Sequence, residues 1–232
     1  MNEVQNSFLS MLPLAVSILL TIAALYISYK WLPDRMQNVY RQSLLTLSRA
    51  VEVKDTRSEG KGERIARYTV AVAEQMEIPR KLRPMMEYAA FLHDIGNVRV
   101  PHYLLNKTEP LTDKETETLQ AQPVIGAEIV SQVKFLKDIA PILRHQYEAW
   151  DGSGYPDHLR GPDIPLGSRI LAVCTAYDSM KHPRSGEAVL NEDERIVAIK
   201  SKSGVLYDPA VVDAFTTILT ERHFEQITRQ TT

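Results

Sequence analysis

Near its start the chain has a long, mainly apolar segment without charged residues. Further along, apolar residues recur at helical spacing, so the pattern changes at about residue 30. Residues 8–27 read FLSMLPLAVSILLTIAALYI and contain no charged side chain. A helix of this length rises about 30 Å, which matches the hydrocarbon thickness of a bilayer. The pattern predicts one transmembrane helix within residues 1–30.

Two other interpretations of this apolar segment are a cleaved signal peptide and a buried helix of a globular domain. A signal peptide begins with basic residues and has a shorter apolar core, whereas residues 1–7 contain Glu3 and neither Lys nor Arg. A globular helix normally keeps one polar face. We therefore favour an uncleaved anchor. The basic residues that follow it are Lys30, Arg35, Arg41 and Arg49. By the positive-inside rule they place the N-terminus outside and the following domain in the cytoplasm.

Beyond the anchor, the apolar spacing predicts an all-α fold. Trp31-Leu32-Pro33-Asp34 indicates a break after the membrane helix, and residues 31–47 are expected to form a juxtamembrane helix or linker. Strand patterns are nearly absent. The expected helices cover residues 35–54, 63–76, 82–94, 112–120, 123–133, 139–150, 168–180, 192–201 and 209–219.

Two local signals refine this pattern. Thr112 and Glu115 have the spacing of a capping box at the start of a helix. Residues 151–167 contain four glycines and three prolines, which predicts a long loop. Loops of this length in a compact domain are usually functional.

Composition excludes several classes of protein. The 232 residues carry a net charge of −2, which gives no basic surface for nucleic acid, so no nucleic-acid partner is expected. Cys174 is the single cysteine, so an intrachain disulfide is impossible. This fits a reducing compartment.

The adjacent residues His93 and Asp94, called the HD pair below, are the first candidates for chemistry. An imidazole beside a carboxylate can hold two metal ions that activate water against a phosphate ester. Such a site needs further His and carboxylate ligands from other helices. Alone, the dipeptide is also compatible with an ordinary helix end that Gly96 terminates.

Three blocks of sequence place this pair in a known context. FLHDIGNVRVPHYLLNKTEPLT resembles the HDIGK block of the HD-GYP family, and HQYEAWDGSGYPDHLRGPDIPLGSRILAVCTAYDSM resembles its GYP block and the helix after it. YDPAVVDAF is similar to the FDP ending of the family. The resemblance runs from about Ser48 to Phe215. It implies a helical HD-domain bundle with a long GYP loop, here residues 151–167, and in active members hydrolysis of cyclic di-GMP at a binuclear or trinuclear metal site.

The resemblance also implies which residues should bind metal. His93 and Asp94 match the family's ligands. The family's other ligands are four His residues and one Asp, and this chain has different residues at those positions: Lys61, Gln122, Gln146, Tyr147 and Thr175. We expect a remnant site without a cofactor. The alternative is a binuclear Fe or Mn site, and a one-residue shift that brings His145 into the pair of His positions would restore one ligand.

Cations near the altered site suggest a second kind of chemistry. Lys61 is expected to pair with Asp94, to meet a phosphate of a bound nucleotide, or to point to solvent. Arg64 and Arg99 are further candidates for phosphate contact. Gly154-Tyr155-Pro156 is intact. In the family this loop is implicated in contacts with GGDEF proteins, while its glycines and proline also serve a purely structural turn.

Together these observations predict a degenerate HD-GYP protein anchored in the inner, cytoplasmic membrane of a bacterium. The expected parts are an anchor (1–30), a juxtamembrane helix or linker (31–47), the HD-GYP domain (48–220) and a tail (221–232). The favoured role is a non-catalytic scaffold or receptor in cyclic di-GMP signalling, or a component of a membrane complex. The alternatives are an active metal-dependent phosphodiesterase and binding of cyclic di-GMP without hydrolysis. A single membrane helix followed by a helical stalk suggests a homodimer, although no sustained heptad supports it.

Overall fold

The computed structural model describes residues 2–54, 59–183 and 189–220, with side chains from Pro13 onward. The regular structure of these residues is helical, which confirms the predicted all-α class. The predicted tail, 221–232, lies outside the described residues, as do residues 55–58 between the helices expected over 35–54 and 63–76. Met1–Ser43 and Leu44–Thr232 form two compact units.

The first unit is helical throughout its described residues. Helix α1 covers Asn2–Tyr26 and a π turn covers Ile27–Trp31. Helix α2 covers Leu32–Glu52, so its residues from Leu44 onward belong to the second unit. The break predicted at residues 31–34 is therefore wrong. The N–H of Leu32 bonds to the carbonyl of Ile27, so the wider turn keeps the chain helical up to Pro33.

Among the residues that the structure describes, one helix is long and apolar enough to cross a membrane, judged by its length and composition. Its exposed apolar residues include Leu19, Leu20 and Ile22.

The second unit contains the remaining helices, and most lie close to their predicted positions. They are α3 (Lys61–Gln75), α4 (Arg83–Leu92), α5 (His102–Leu105), α6 (Asp113–Gln120), α7 (Gln122–Ser131), α8 (Ala140–Arg144), α9 (Leu166–Lys181), α10 (Glu192–Ser201) and α11 (Pro209–Thr220). Short 3-10 turns cover Ile95–Arg99, Lys134–Ile139 and Gly161–Asp163. The capping box of Thr112 and Glu115 is confirmed.

Helices α3, α4, α9 and α11 surround the core. Tyr68, Tyr177 and Phe215, from three of these helices, form an edge-to-face cluster with ring centroids 5.0–5.9 Å apart. Such pairs contribute about 0.5–1.5 kcal/mol each beyond the area they bury. The cluster fixes α3 and α9 against each other, and both helices carry residues of the candidate site.

The helix predicted over residues 139–150 is too long, because α8 ends at Arg144 and the chain then turns. The loop explains this ending. The N–H of Tyr155 bonds to the carbonyl of Tyr147 at 3.2 Å. A Cβ on Gly154 would collide with the backbone of Glu148 and Ala149, so the loop folds directly onto the residues after α8.

Candidate functional site

The HD pair follows α4, at a point where three other elements meet. Lys61 is the first residue of α3, Gln122 the first of α7, and Gln146 lies in the turn after α8. His93 is buried, with 2% of its surface exposed, and its Nδ1 lies 2.8 Å from the carbonyl oxygen of Ala90. The pair therefore sits inside the helix packing and not at a free helix end.

The Asp94 carboxylate lies between an ammonium group and an imidazole ring. Its Oδ2 lies 2.8 Å from Nζ of Lys61 and 2.9 Å from Nε2 of His93, although the approach of His93 lacks the direction of a hydrogen bond. Burial alone would raise the pKa of Asp94, but His93 and Lys61 outweigh it and hold that pKa well below its ordinary value. Three roles were predicted for Lys61, and in the structure it pairs with Asp94.

Two glutamines stand where the resemblance places histidine ligands. Nε2 of Gln122 and Nε2 of Gln146 both donate to the carbonyl oxygen of His93, at 3.0 and 2.9 Å. Both side chains are buried. Their amide nitrogens therefore hold the backbone of the HD pair, and an N–H group that donates has no lone pair for a metal.

Tyr147 and Thr175 occupy the remaining altered positions. Burial, followed by the charge of Asp94, raises the pKa of Tyr147 well above its ordinary value, so its phenol is neutral. Its ring stacks on Tyr155 of the GYP loop with centroids 5.3 Å apart and planes 12° apart. The hydroxyl of Thr175 is buried and has no hydrogen-bond partner among the described residues.

A cavity of about 310 Å³ opens beside these residues. Gln146, Tyr147 and Thr175 line it together with small or aromatic side chains, among them Ala172 and Tyr207. Three of the five altered positions thus face one mainly apolar cavity.

The two arginines predicted to contact phosphate differ in how closely they pair with carboxylates. Arg64 makes a two-point contact with Asp178, from Nε to Oδ1 at 2.8 Å and from Nη2 to Oδ2 at 3.0 Å. Burial lowers the pKa of Arg64, but Asp178 outweighs this and raises it. Arg99 is exposed, and its nearest carboxylate, that of Glu128, is 3.8 Å away. Of Arg64 and Arg99, therefore, Arg99 has the looser ion pair.

Sequence reasoning missed Glu52, which organises the start of α3. Its carboxylate accepts hydrogen bonds from the N–H groups of Gly60 and Gly62 at 2.8 and 2.7 Å, and from Oγ of Ser48 at 3.2 Å. The signal available in the sequence was a glutamate near the end of the predicted helix 35–54, followed by Gly60 and Gly62. The bonds fix the first turn of α3 and hence the position of Lys61.

A second missed group lies where the GYP loop meets the end of α8. Glu148 accepts from the N–H groups of Asp157 and Leu159 at 2.8 and 3.2 Å. Asp157 receives a two-point contact from Arg144 at 2.7 and 2.8 Å, and its Oδ2 lies 2.9 Å from Nε2 of His145. Arg144, then His145, lower the pKa of Asp157 to about 2.

The position of His145 answers the question of a one-residue shift. Its ring contacts Asp157 of the loop, while Gln146 is the residue that reaches the HD pair. His145 therefore does not restore a ligand there. Instead His145, Glu148 and Asp157 form a group whose donor atoms all lie within 4.8 Å of one another, and these residue types can hold a metal ion.

Comparison with known proteins places this geometry in a family. Residues 45–211 match the HD domain family. This chain belongs to the HD domain family. Among curated relatives, the cyclic di-GMP phosphodiesterase response regulator RpfG of Xanthomonas campestris is 35% identical over 176 residues, and a cyclic di-GMP phosphodiesterase of Thermotoga maritima is 34% identical over 166 residues. These alignments cover 75% and 71% of this chain, and 47% and 45% of the relatives.

Solved structures have the same fold as this HD domain. A cyclic GMP-AMP specific phosphodiesterase of Vibrio cholerae superposes with a TM-score of 0.62 at 18% identity, covering 78% of this chain and 48% of that one. An HD-GYP-type protein of Bdellovibrio bacteriovorus, Bd1817, superposes with a TM-score of 0.59 at 17% identity, covering 79% and 63%. The predicted resemblance to HD-GYP proteins is confirmed. The chain spans about half the length of the curated relatives it matches.

Proposed function

We propose that this HD domain is a degenerate, membrane-anchored HD-GYP protein that acts as a non-catalytic scaffold or receptor in cyclic di-GMP signalling, or as a component of a membrane complex. The observation that carries the proposal is the 2.8 Å contact between Lys61 and Asp94. A protonated ammonium group has no lone pair for a metal, and it neutralises the carboxylate that a metal would need.

The remaining donors also fit two metal ions poorly. Iron and manganese prefer several imidazole and carboxylate ligands. Here the amides of Gln122 and Gln146 donate to a carbonyl, and the phenol of Tyr147 is neutral. We infer that the residues of the HD pair hold the helices together through Lys61 and that no reaction step runs through a metal at this place.

The decisive experiment compares the chain with a variant that regains the family's ligands. The full chain is purified in detergent micelles and assayed for hydrolysis of cyclic di-GMP with Mn²⁺ and with Fe²⁺. We expect no turnover. The matched variant carries Lys61→His, Gln122→His, Gln146→His, Tyr147→His and Thr175→Asp, and we expect it to bind Mn²⁺ where the parent does not. Turnover by the parent that disappears in Asp94→Ala would refute the proposal.

The second candidate is an active phosphodiesterase for cyclic di-GMP or a related phosphate ester. Its support is the 35% identity to a relative named as a cyclic di-GMP phosphodiesterase. His93 and Asp94 would then be ligands of Fe or Mn. The hydrolysis assay separates the two candidates directly, because the scaffold requires no turnover and the enzyme requires it.

Binding of cyclic di-GMP without hydrolysis is a form of the receptor role. Arg99 supports it, because this exposed guanidinium lies at the end of the 3-10 turn that follows the HD pair. Titration calorimetry of the full chain with cyclic di-GMP tests it, with Arg99→Gln as the variant and Arg80→Gln as an exposed control. Equal affinity in both variants would exclude Arg99, and the absence of heat in the parent would leave the scaffold role.

The membrane and partner assignments complete the proposal. The apolar helix supports a single-pass anchor in the inner membrane with the domain in the cytoplasm. Protein partners, with GGDEF proteins as the first to test, would contact the GYP loop around Gly154, Tyr155 and Pro156, where Ser153, Asp157 and His158 are exposed. Crosslinking in membranes with the loop substituted tests this contact, and the same experiment reports a homodimer.

A further inference from the structure

His145 makes two contacts that a neutral imidazole cannot both satisfy. Its Nδ1 lies 2.8 Å from the carbonyl oxygen of Pro141, and its Nε2 lies 2.9 Å from Oδ2 of Asp157. A carbonyl and an ionised carboxylate both accept hydrogen bonds, and a neutral imidazole has one N–H to give. Once Nδ1 donates to Pro141, the lone pair of Nε2 faces another acceptor. A positive charge is needed between Nε2 and Oδ2, either a proton or a metal ion.

Glu148 favours the metal ion, because it brings a third donor to the same place. Its side chain is buried, and one of its oxygen atoms lies within 4.8 Å of the donor atoms of both His145 and Asp157. A proton would bridge only His145 and Asp157, and the buried carboxylate of Glu148 would keep only the backbone N–H groups of Asp157 and Leu159 as partners. A divalent cation attracts both carboxylates and the imidazole together.

The surroundings of these three residues have the form of an outer ligand shell. Histidines that bind metals usually donate their other ring N–H to a backbone carbonyl or a carboxylate, as Nδ1 of His145 does to Pro141. Carboxylate ligands are themselves hydrogen-bonded in such sites. Glu148 accepts from the N–H groups of Asp157 and Leu159, and Arg144 donates to both carboxylate oxygens of Asp157. An ionised carboxylate offers about four lone pairs, so each oxygen keeps one for a further partner. All three side chains are thus oriented before any ion arrives.

We propose that His145, Glu148 and Asp157 bind one Zn²⁺ ion, with water at the open position, and that this ion links the turn after α8 to the GYP loop. One nitrogen and two oxygen ligands suit zinc, whose bonds to such atoms are about 2.0–2.2 Å long. At those lengths the nitrogen and oxygen stand about 3.3 Å apart in a tetrahedral site, so His145 and Asp157 separate by a few tenths of an ångström. The site is distinct from the HD pair and does not rest on the proposed function.

Calorimetry on the full chain in detergent micelles tests this site. The protein is stripped with EDTA, freed of chelator and any affinity tag, and titrated with ZnCl₂. We expect one zinc per chain and no heat with MgCl₂, because magnesium prefers a shell of oxygen ligands. His145→Gln and Asp157→Asn each remove one ligand at nearly constant volume, and each should weaken binding at least about tenfold. Circular dichroism establishes that each variant is folded.

Two controls separate this site from other places on the chain. His102→Gln removes an exposed histidine outside the group, and Asp94→Asn removes the carboxylate of the HD pair; both should leave zinc affinity unchanged. As a second readout, zinc should slow proteolysis within residues 151–163 in the parent and not in His145→Gln. The proposal is overturned if the parent takes up no zinc, which would assign the bridging charge to a proton. It is equally overturned if His145→Gln and Asp157→Asn bind as the parent does, or if Asp94→Asn alone abolishes binding.

Discussion

The ion pair of Lys61 and Asp94 gives the sharpest test of how this domain is held together. In Lys61→Met the side chain keeps its length but loses its charge, which leaves Asp94 with His93 alone. Removing one partner of a buried ion pair costs about 3–5 kcal/mol. Here 19% of the Lys61 side chain and 13% of the Asp94 side chain are exposed, so water offsets part of the loss. We expect the free energy of unfolding to fall by about 2–3 kcal/mol.

Urea denaturation of the full chain in detergent, followed by far-UV circular dichroism, measures this change. Lys114→Met is the matched control, because Lys114 is an exposed lysine of α6, and its substitution should change stability by less than about 0.5 kcal/mol. The double variant Lys61→Met with Asp94→Asn should recover part of the loss, since it removes the unpaired charge. Equal stability of Lys61→Met and Lys114→Met would refute the reasoning.

The pH dependence supplies an independent check. The folded-state pKa of Asp94 is depressed, so its contribution is present above the unfolded-state value of about 3.9 and is lost as pH falls toward the folded value. Without Lys61 the folded pKa moves upward. The folded variant then takes up a proton together with the unfolded chain, and its deficit relative to the parent should shrink below about pH 4. A deficit that stays constant down to pH 3 would contradict this origin.

Three further predictions concern the packing around the site. Glu52→Gln should lower the free energy of unfolding by about 1.5–3 kcal/mol because it removes a charged acceptor of two backbone N–H groups, whereas the exposed Glu117→Gln should change it little; equal urea midpoints would contradict this. Gly62→Ala should cost about 1–3 kcal/mol, since its Cβ would meet Oγ of the serine in the last turns of α2. A Cβ on Gly126 would make only ordinary contacts, so Gly126→Ala should be neutral or stabilising; thermal melts of the two glycine variants measure the difference. Tyr155→Leu should remove a stacking contribution of about 0.5–1.5 kcal/mol and speed hydrogen exchange in the GYP loop, and unchanged exchange would argue against the stack.

The helices could be predicted from the sequence where the local apolar pattern and the tertiary packing agree. Helices α3, α4, α9 and α11 carry apolar residues at helical spacing, and those residues form the core. The prediction failed where a contact distant in sequence decides the local structure. The helix expected over residues 139–150 stops at Arg144 because the GYP loop packs against the residues that follow, and no pattern within that segment records it.

The candidate site divides in the same way. The resemblance implies that Lys61, Gln122 and Gln146 stand at ligand positions, and in the structure all three contact the HD pair. It did not indicate what the replacements do. That two glutamines hold the carbonyl of His93, and that Glu52 holds the first turn of α3, depends on side-chain directions that spacing alone does not specify.

The Lys61 ammonium differs from a metal ion in that it is covalently bound to the chain. A cation that is covalently part of the chain cannot dissociate, be removed by a chelator or change its oxidation state. With a ferrous centre, the packing of α3 against the HD pair would depend on the supply of iron and on oxygen. With Lys61, the cation is present as soon as the chain has been synthesised. The core of this domain should therefore assemble equally well in iron-starved, oxidised and iron-replete cells.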